Sequence, residues 1–145
     1  MENVSIAFEF KHHGYKPPSG WIETSGHLIW DVKMDFTRKA RWVKDRHKTA
    51  DIVLSSFAGV VSQESVQIAL TYAALNDIPV VAADIQNAYL QAPSSEKHYI
   101  ICGDEFGEEH RGKVALIRCA LYGGKMVGCD YWRHMQRFMS ELGFK

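Results

Sequence analysis

The chain has 145 residues, of which 46% are hydrophobic and 23% charged, the size and composition of one ordinary globular domain. Seventeen basic residues balance seventeen acidic ones, so net charge by itself indicates neither a nucleic-acid nor a membrane partner. The three cysteines are too widely spaced for a metal-binding pair or a disulfide framework. Without a signal peptide or an apolar run near the roughly 18 residues of a membrane span, the sequence predicts an intracellular protein, cytoplasmic or nuclear.

The basic residues are concentrated in one segment. Between Lys33 and Lys48 there are seven Lys or Arg and two Asp, which gives this segment a net charge of +5. The seven histidines show no ligand spacing such as HxxxH, and no zinc site is expected.

The first half of the chain predicts an arm and a β-hairpin. Residues 1–25 are mixed in character and then rich in turn formers, which is typical of a connecting segment. Two strands, His27–Asp31 and Arg38–Lys44, are expected around a turn at residues 34–37. Alternation in the second strand places Lys39, Arg41 and Val43 on one face and Ala40, Trp42 and Lys44 on the other. A loop from Asp45 to about Val61 follows.

The second half predicts helices on a sheet. Ser62 is the expected N-cap of a helix that reaches Asn76, and its wide apolar stripe predicts that the helix is largely buried. Further elements are expected in this order: a strand at Val80–Asp84, strands near His98–Cys102 and Val114–Cys119, and a helix from about Asp130 to Leu142 with Gly143 after its end. The inner face of this last helix is expected to carry Tyr131, Met135, Phe138 and Leu142. The order of the elements predicts an α+β fold, an α/β sandwich.

Asp84 ends the apolar run Val80–Ala83. Such a run is typical of a strand covered on both faces, and an acid inside it is costly unless it is paired or bound to a metal. At the carboxyl end of a strand the acid can face a ligand cleft. From spacing alone, the simpler interpretation of Asp84 as the cap of the following turn is favoured.

Two further features could bind phosphate. Lys39 and Arg41 share one strand face and could hold a polyphosphate or a nucleic-acid backbone, although Lys is also common on solvated edge strands. Tyr122, Gly123, Gly124 and Lys125 form a Gly-Gly turn with a cation before a helix, a weak phosphate-binding pattern.

Four stretches taken together resemble the N-terminal portion of a copia-type retrotransposon reverse transcriptase, from about Gly26 to Lys145. They are "DVKMDFTRKARWVKDRHKT", "VVSQESVQIALTYAALND", "AADIQNAYLQAP" and "ALYGGK", with "LGFK" at the end. The resemblance implies a fingers-and-palm fold over residues 26–145, truncated before the second half of the palm. It also implies RNA-directed DNA synthesis by two-metal nucleotidyl transfer.

The resemblance gives particular residues a role. Asp84 matches the first catalytic aspartate, which with the carbonyl of Ile85 would bind Mg²⁺. Tyr89 matches the aromatic gate that excludes a 2′-hydroxyl, or else it is a Tyr packed in the core. The resemblance places the remaining candidates, Lys39, Arg41, Tyr122, Gly123 and Lys125, around the incoming deoxynucleoside triphosphate. The implied partners are an RNA or DNA template–primer and the rest of the polyprotein: the remaining palm, RNase H and integrase.

The sequence also departs from the family pattern. No stretch matches the Tyr-x-Asp-Asp hairpin that carries the other two catalytic aspartates, so we expect the isolated chain to be inactive. Asp45-Arg46-His47 stands in place of the usual Gly-Gly-His, and Gly124 in place of Leu, as in a decaying or a divergent copy. One alternative function is a non-catalytic relic or co-opted fragment that binds nucleic acid through the basic hairpin. Another possibility is a chain that exposes its apolar surface and does not fold stably alone.

Overall fold

The computed structural model describes residues 6–45 and 58–144. Within them the fold is mixed α+β, which confirms the predicted class at this level. Its strands and helices are β1 (Phe8–Phe10), β2 (Ile22–Glu23), β3 (Gly26–Val32), β4 (Arg38–Lys44), α1 (Gln63–Leu75), β5 (His98–Ile101), β6 (Val114–Ile117) and α2 (Val127–Glu141). Short 3-10 turns occupy Ala88–Gln91 and Asp104–Phe106. The loop expected after Asp45, with Arg46 and His47, lies mostly outside the described residues.

A four-stranded sheet has the order β1-β6-β5-β2. β6 pairs antiparallel with β1 and β5, and β2 pairs parallel with β5. Ala7 and Phe8 are buried in the core. The N-terminal segment therefore supplies two strands of the sheet, whereas the sequence predicted only a connecting arm there; strands of two and three residues are too short to show a period.

β3 and β4 form the predicted hairpin as a separate two-stranded sheet. Side chains in β4 alternate as expected, since Trp42 and Lys44 are buried while Lys39 and Arg41 are half-buried on the other face. Trp42 packs edge-on against Phe8 at 5.2 Å between ring centroids, and Phe106 lies beside both rings. The root of the hairpin is therefore anchored in the main hydrophobic core.

Lys44 is a buried cation, 4% exposed, at the end of β4. Its Nζ donates to Glu96 Oε2 at 2.6 Å and lies 3.2 Å from Nδ1 of His98, which is also buried. A buried ammonium is tolerated only when its charge and its protons are satisfied. These contacts tie the hairpin to the start of β5, 52 and 54 residues along the chain.

α1 begins as predicted but is not buried. The Ser62 side chain accepts from the Ser65 amide at 3.2 Å, which confirms the N-cap. Only Ala73 of the helix is buried, so the prediction of a largely buried helix is wrong. The predicted strand at Val80–Asp84 is also absent: this segment is exposed, and no described strand pairs with it. An interior strand needs neighbouring strands to pair with, and the Val80–Asp84 segment has none among the described strands. Without a strand there, α1 has no sheet face on which to bury its apolar side.

The last elements agree more closely with the sequence. β5 and β6 form within the predicted ranges, and α2 starts three residues earlier than expected. Gly143 has a φ of +90° and follows the helix end, as predicted. Burial in α2 is concentrated in its first turn, at Val127, Cys129 and Asp130, whereas Phe138 and Leu142 of the predicted inner face are exposed.

The three cysteines are free, and burial raises the pKa of the Cys102 thiol to about 11, which makes it a poor nucleophile. In the part of the chain described here, no helix is long and apolar enough to cross a membrane.

We predict that stability falls as the pH drops below about 6.5. Burial and the Lys44 ammonium lower the pKa of His98 from its usual 6.5. The unfolded chain therefore takes up a proton at this position before the folded chain does, and acid favours unfolding, with a slope of at most about 1.4 kcal/mol per pH unit for one proton. Stability is lost between about pH 6.5 and the lowered pKa of His98.

Urea unfolding between pH 7.5 and 5 measures this effect, and His98→Gln is the matched variant because its amide oxygen can still accept from Lys44. The variant should show a flatter pH dependence. An identical slope in both proteins would contradict the prediction.

Candidate nucleotide-binding site

Three of the predicted site residues, from three distant segments, meet at one place. The guanidinium carbon of Arg41, in β4, lies 5.7 Å from the ring centroid of Tyr122. The Tyr122 ring meets Tyr89 edge-on at 5.1 Å between centroids, and Tyr89 in turn meets Tyr131 of α2 at 5.6 Å. We call Arg41, Tyr89, Tyr122 and Tyr131 the Arg–Tyr cluster. Tyr131 was expected only on the inner face of the last helix, and no local sequence pattern indicated its contact with Tyr89.

One hydrogen-bond donor of Arg41 has no partner among the described residues. The side chain is half-buried, and this donor, its Nε, is itself buried. A buried unpaired donor on a charged group is costly, and such a group is commonly satisfied by a ligand or an ordered water.

The Gly-Gly turn is held against the end of β4. The Lys44 amide donates to the Tyr122 carbonyl at 2.8 Å, and the Gly124 amide closes the turn on Leu121 at 3.1 Å. Gly123 has a φ of +87°, and a Cβ there would lie 2.1 Å from the Lys44 carbonyl oxygen. Glycine is therefore required at this position for both conformation and space, and it brings Tyr122 up to Arg41.

Tyr89 is positioned by a short 3-10 turn. Asn87 precedes this turn in the left-handed region, at a φ of 51°, and the Leu90 amide donates to the Asn87 carbonyl. Ala92, at the end of the turn, is fully buried. It packs in one cluster with Ala120 and with Val127, the first residue of α2. The turn thus fixes the half-buried Tyr89 ring between α2 and the Gly-Gly turn.

The remaining predicted residues lie outside these contacts or beside them. Asp84 and Ile85 are in the exposed segment that precedes Tyr89. Lys39 is half-buried two residues before Arg41 and pairs with Asp31 in the hairpin register. Lys125 is half-buried and directly follows the Gly-Gly turn. Arg41, Tyr89 and Tyr122 are thus the predicted residues that the structure brings together, and Gly123 holds the turn that carries Tyr122 against β4.

Asp84 and Ile85 can offer Mg²⁺ two oxygen ligands, a carboxylate and a carbonyl, which are the donors that this ion prefers. Within residues 6–45 and 58–144, no group of three His, Cys, Asp or Glu is arranged to hold a metal ion. The described residues thus contain at most part of such a site.

A separate cleft of about 340 Å³ lies between the loop at residues 93–95 and α2. Asp130 is buried at this cleft and accepts a hydrogen bond from the Ser95 amide at 2.9 Å. Its carboxylate therefore joins the loop to the helix, which is a structural role.

No protein-family model matches this sequence, and neither the curated proteins nor the solved structures contain a match to it.

We predict that Gly123→Ala destabilises the chain and separates Tyr122 from Arg41. A non-glycine residue at positive φ costs about 1–3 kcal/mol, and here the new methyl group also meets the Lys44 carbonyl. Gly20→Ala is the matched control, because its φ is +85° and nothing lies within 4 Å of the added Cβ. Urea unfolding should show a larger loss for Gly123→Ala than for Gly20→Ala. Equal losses would show that the close approach of the turn to β4 is wrong.

Proposed function

We propose that this chain is the fingers and part of the palm of an RNA-directed DNA polymerase, a copia-type retrotransposon reverse transcriptase. The observation that supports this most is the Arg–Tyr cluster. It joins residues from the "RKAR", "NAYL" and "ALYGGK" stretches, which the resemblance independently assigns to one nucleotide pocket.

Each member of the cluster suits a part of a bound nucleotide. Arg41 presents a half-buried guanidinium beside Tyr122, and this planar cation is suited to phosphate oxygens. Tyr89 is held by rings on two sides and offers a rigid aromatic surface for the sugar. In this proposal the ring position sets the preference for deoxynucleotides, since a 2′-hydroxyl would have no room there.

Chemistry in this proposal depends on Asp84 and the Ile85 carbonyl as ligands of Mg²⁺, which stabilises charge on the transferred phosphoryl group when it is bound. The family pattern requires two further aspartates that this sequence does not match. We therefore expect the isolated chain to bind the template–primer and nucleotide without extending the primer. The rest of the polyprotein supplies the other half of the palm.

We predict that Tyr89→Ala abolishes discrimination between deoxynucleotides and ribonucleotides. With a template–primer and Mg²⁺ present, the wild-type chain should bind the complementary deoxynucleoside triphosphate at least about tenfold more tightly than its ribose counterpart, a difference of about 1.4 kcal/mol. Competition against a photo-crosslinkable nucleotide measures the ratio. Tyr89→Phe keeps the ring and should keep the preference. Unchanged discrimination in Tyr89→Ala would remove Tyr89 from the site.

We predict that Asp84→Asn inactivates a longer version of the protein that includes a Tyr-x-Asp-Asp hairpin. Loss of the metal-binding charge should reduce extension of a primed RNA template at least about 100-fold, or about 2.7 kcal/mol in transition-state stabilisation. Asp77→Asn removes an acidic charge seven residues away and should leave extension unchanged. Primer extension by Asp84→Asn at the wild-type rate would refute the polymerase assignment.

The second candidate function is non-catalytic binding of nucleic acid through the basic hairpin. It is favoured by the position of Lys39 and Arg41 on one face of β4, a spacing that suits successive backbone phosphates. This function requires neither Asp84 nor a nucleotide preference at Tyr89, so the two preceding experiments separate it from polymerisation.

A further inference from the structure

The free end of the β3–β4 hairpin exposes large apolar side chains. Trp30 is 71% exposed, Phe36 87% and Met34 fully exposed. At the root of the same hairpin Trp42 is buried in the core. A cluster of this kind at the end of a two-stranded sheet marks a contact surface more often than isolated surface residues do.

The hairpin register fixes what lies beside Trp30. Trp30 pairs with Ala40, and Val32 pairs with Arg38, so these four side chains share one face of the hairpin. Lys39 and Arg41 belong to the opposite face. The small Ala40 side chain leaves the Trp30 ring largely uncovered, and Arg38 provides a cation diagonally across from it.

The turn holds Phe36 outward in a constrained conformation. Phe36 has a φ of +62°, which is uncommon for a bulky residue. Its amide donates to the Lys33 carbonyl at 2.9 Å, and the Lys33 amide donates to the Thr37 carbonyl at 3.0 Å. Asp35 accepts from the Thr37 amide at 3.0 Å, and this contact lowers the pKa of the Asp35 carboxyl. The turn thus presents an exposed ring next to Lys33 on a pre-organised backbone.

We propose that this free end, comprising Trp30, Phe36, Lys33 and Arg38, binds single-stranded nucleic acid, with bases stacked on the two rings and phosphates paired with the two cations. Exposed aromatic rings interleaved with cations are the combination that single-strand binding uses. Bases in a duplex are stacked on one another, so the two rings select unpaired nucleotides. Trp30 and Arg38 lie on the opposite face of the hairpin from Arg41, so their contacts are distinct from those of the nucleotide site.

The test uses the 145-residue chain and fluorescence anisotropy with a labelled single-stranded oligonucleotide of about 12 nucleotides, within the usual site size. The same sequence as a duplex is the comparison, and both are measured over a range of salt concentrations. The wild-type chain should bind the single strand more tightly. Trp30→Ala should weaken single-strand binding about 5- to 150-fold, the range for one lost base–aromatic stack, without changing the log–log salt slope.

Arg38→Ala should instead reduce the magnitude of that slope by about 0.7, the value for one phosphate contact on a single strand. Trp132→Ala removes another exposed tryptophan, 40% exposed on α2, and should leave binding unchanged. Trp30→Phe keeps an aromatic ring and should retain most of the affinity. Because Trp30 is largely exposed, Trp30→Ala should unfold at the same urea concentration as the wild type, which separates loss of binding from loss of fold.

Equal effects of Trp30→Ala and Trp132→Ala would overturn the proposal, as would equal affinities for the single strand and the duplex. Binding to anionic phospholipid vesicles that depends on Trp30, with no binding to the oligonucleotide, would overturn it in favour of a membrane contact. This result is independent of the nucleotide preference at Tyr89. A negative result with Trp30 would leave the polymerase proposal standing, and a negative result with Tyr89 would leave the single-strand proposal standing.

Discussion

The arrangement of the described fold depends on one buried cation. Lys44 is the last residue of β4 and is buried. Its ammonium contacts Glu96 and His98, which lie 52 and 54 residues later in the sequence. Since an unpaired ammonium in that place would be very costly, any placement of the hairpin that separated Lys44 from Glu96 and His98 would be strongly disfavoured. Packing of Trp42 on Phe8 supplies apolar contact at the same joint, and the ion pair supplies its specificity.

The candidate site follows from that joint. The same Lys44 residue donates its amide to the Tyr122 carbonyl, so the Gly-Gly turn is positioned by the end of the strand that carries Arg41. Arg41 lies three residues before Lys44 and meets Tyr122 there, and Tyr89 completes the contact from the side of α2. A residue whose side chain is buried for structural reasons therefore positions, through its backbone amide, neighbours that are partly exposed.

The sequence was informative where the signal is local. The Ser62 cap, the strands of the hairpin and Gly143 depend on neighbours a few residues away, and all were placed correctly. Errors arose where an element depends on distant partners. The apolar run before Asp84 has the composition of a buried strand, but composition cannot supply the neighbouring strand that pairing requires. Likewise, alternation placed Lys44 on the same face as Trp42, but could not reveal Glu96 as its partner. The contact of Tyr131 with the site was missed for the same reason, because helix periodicity shows on which face a residue lies but not which residue it contacts.

The exposed stretch from Val80 to Ala83 has a consequence for the behaviour of the chain at high concentration. It is exposed, apolar, free of charge and unpaired with any described strand. Such a segment is a ready template for β-strand addition by any chain with a compatible edge, including its own copies. Asp84 and Pro79, which border the stretch, are residue types that discourage such growth, one by charge and the other by its missing N–H. Two flanking residues therefore oppose self-association at this stretch, and one of them, Asp84, is also the candidate metal ligand.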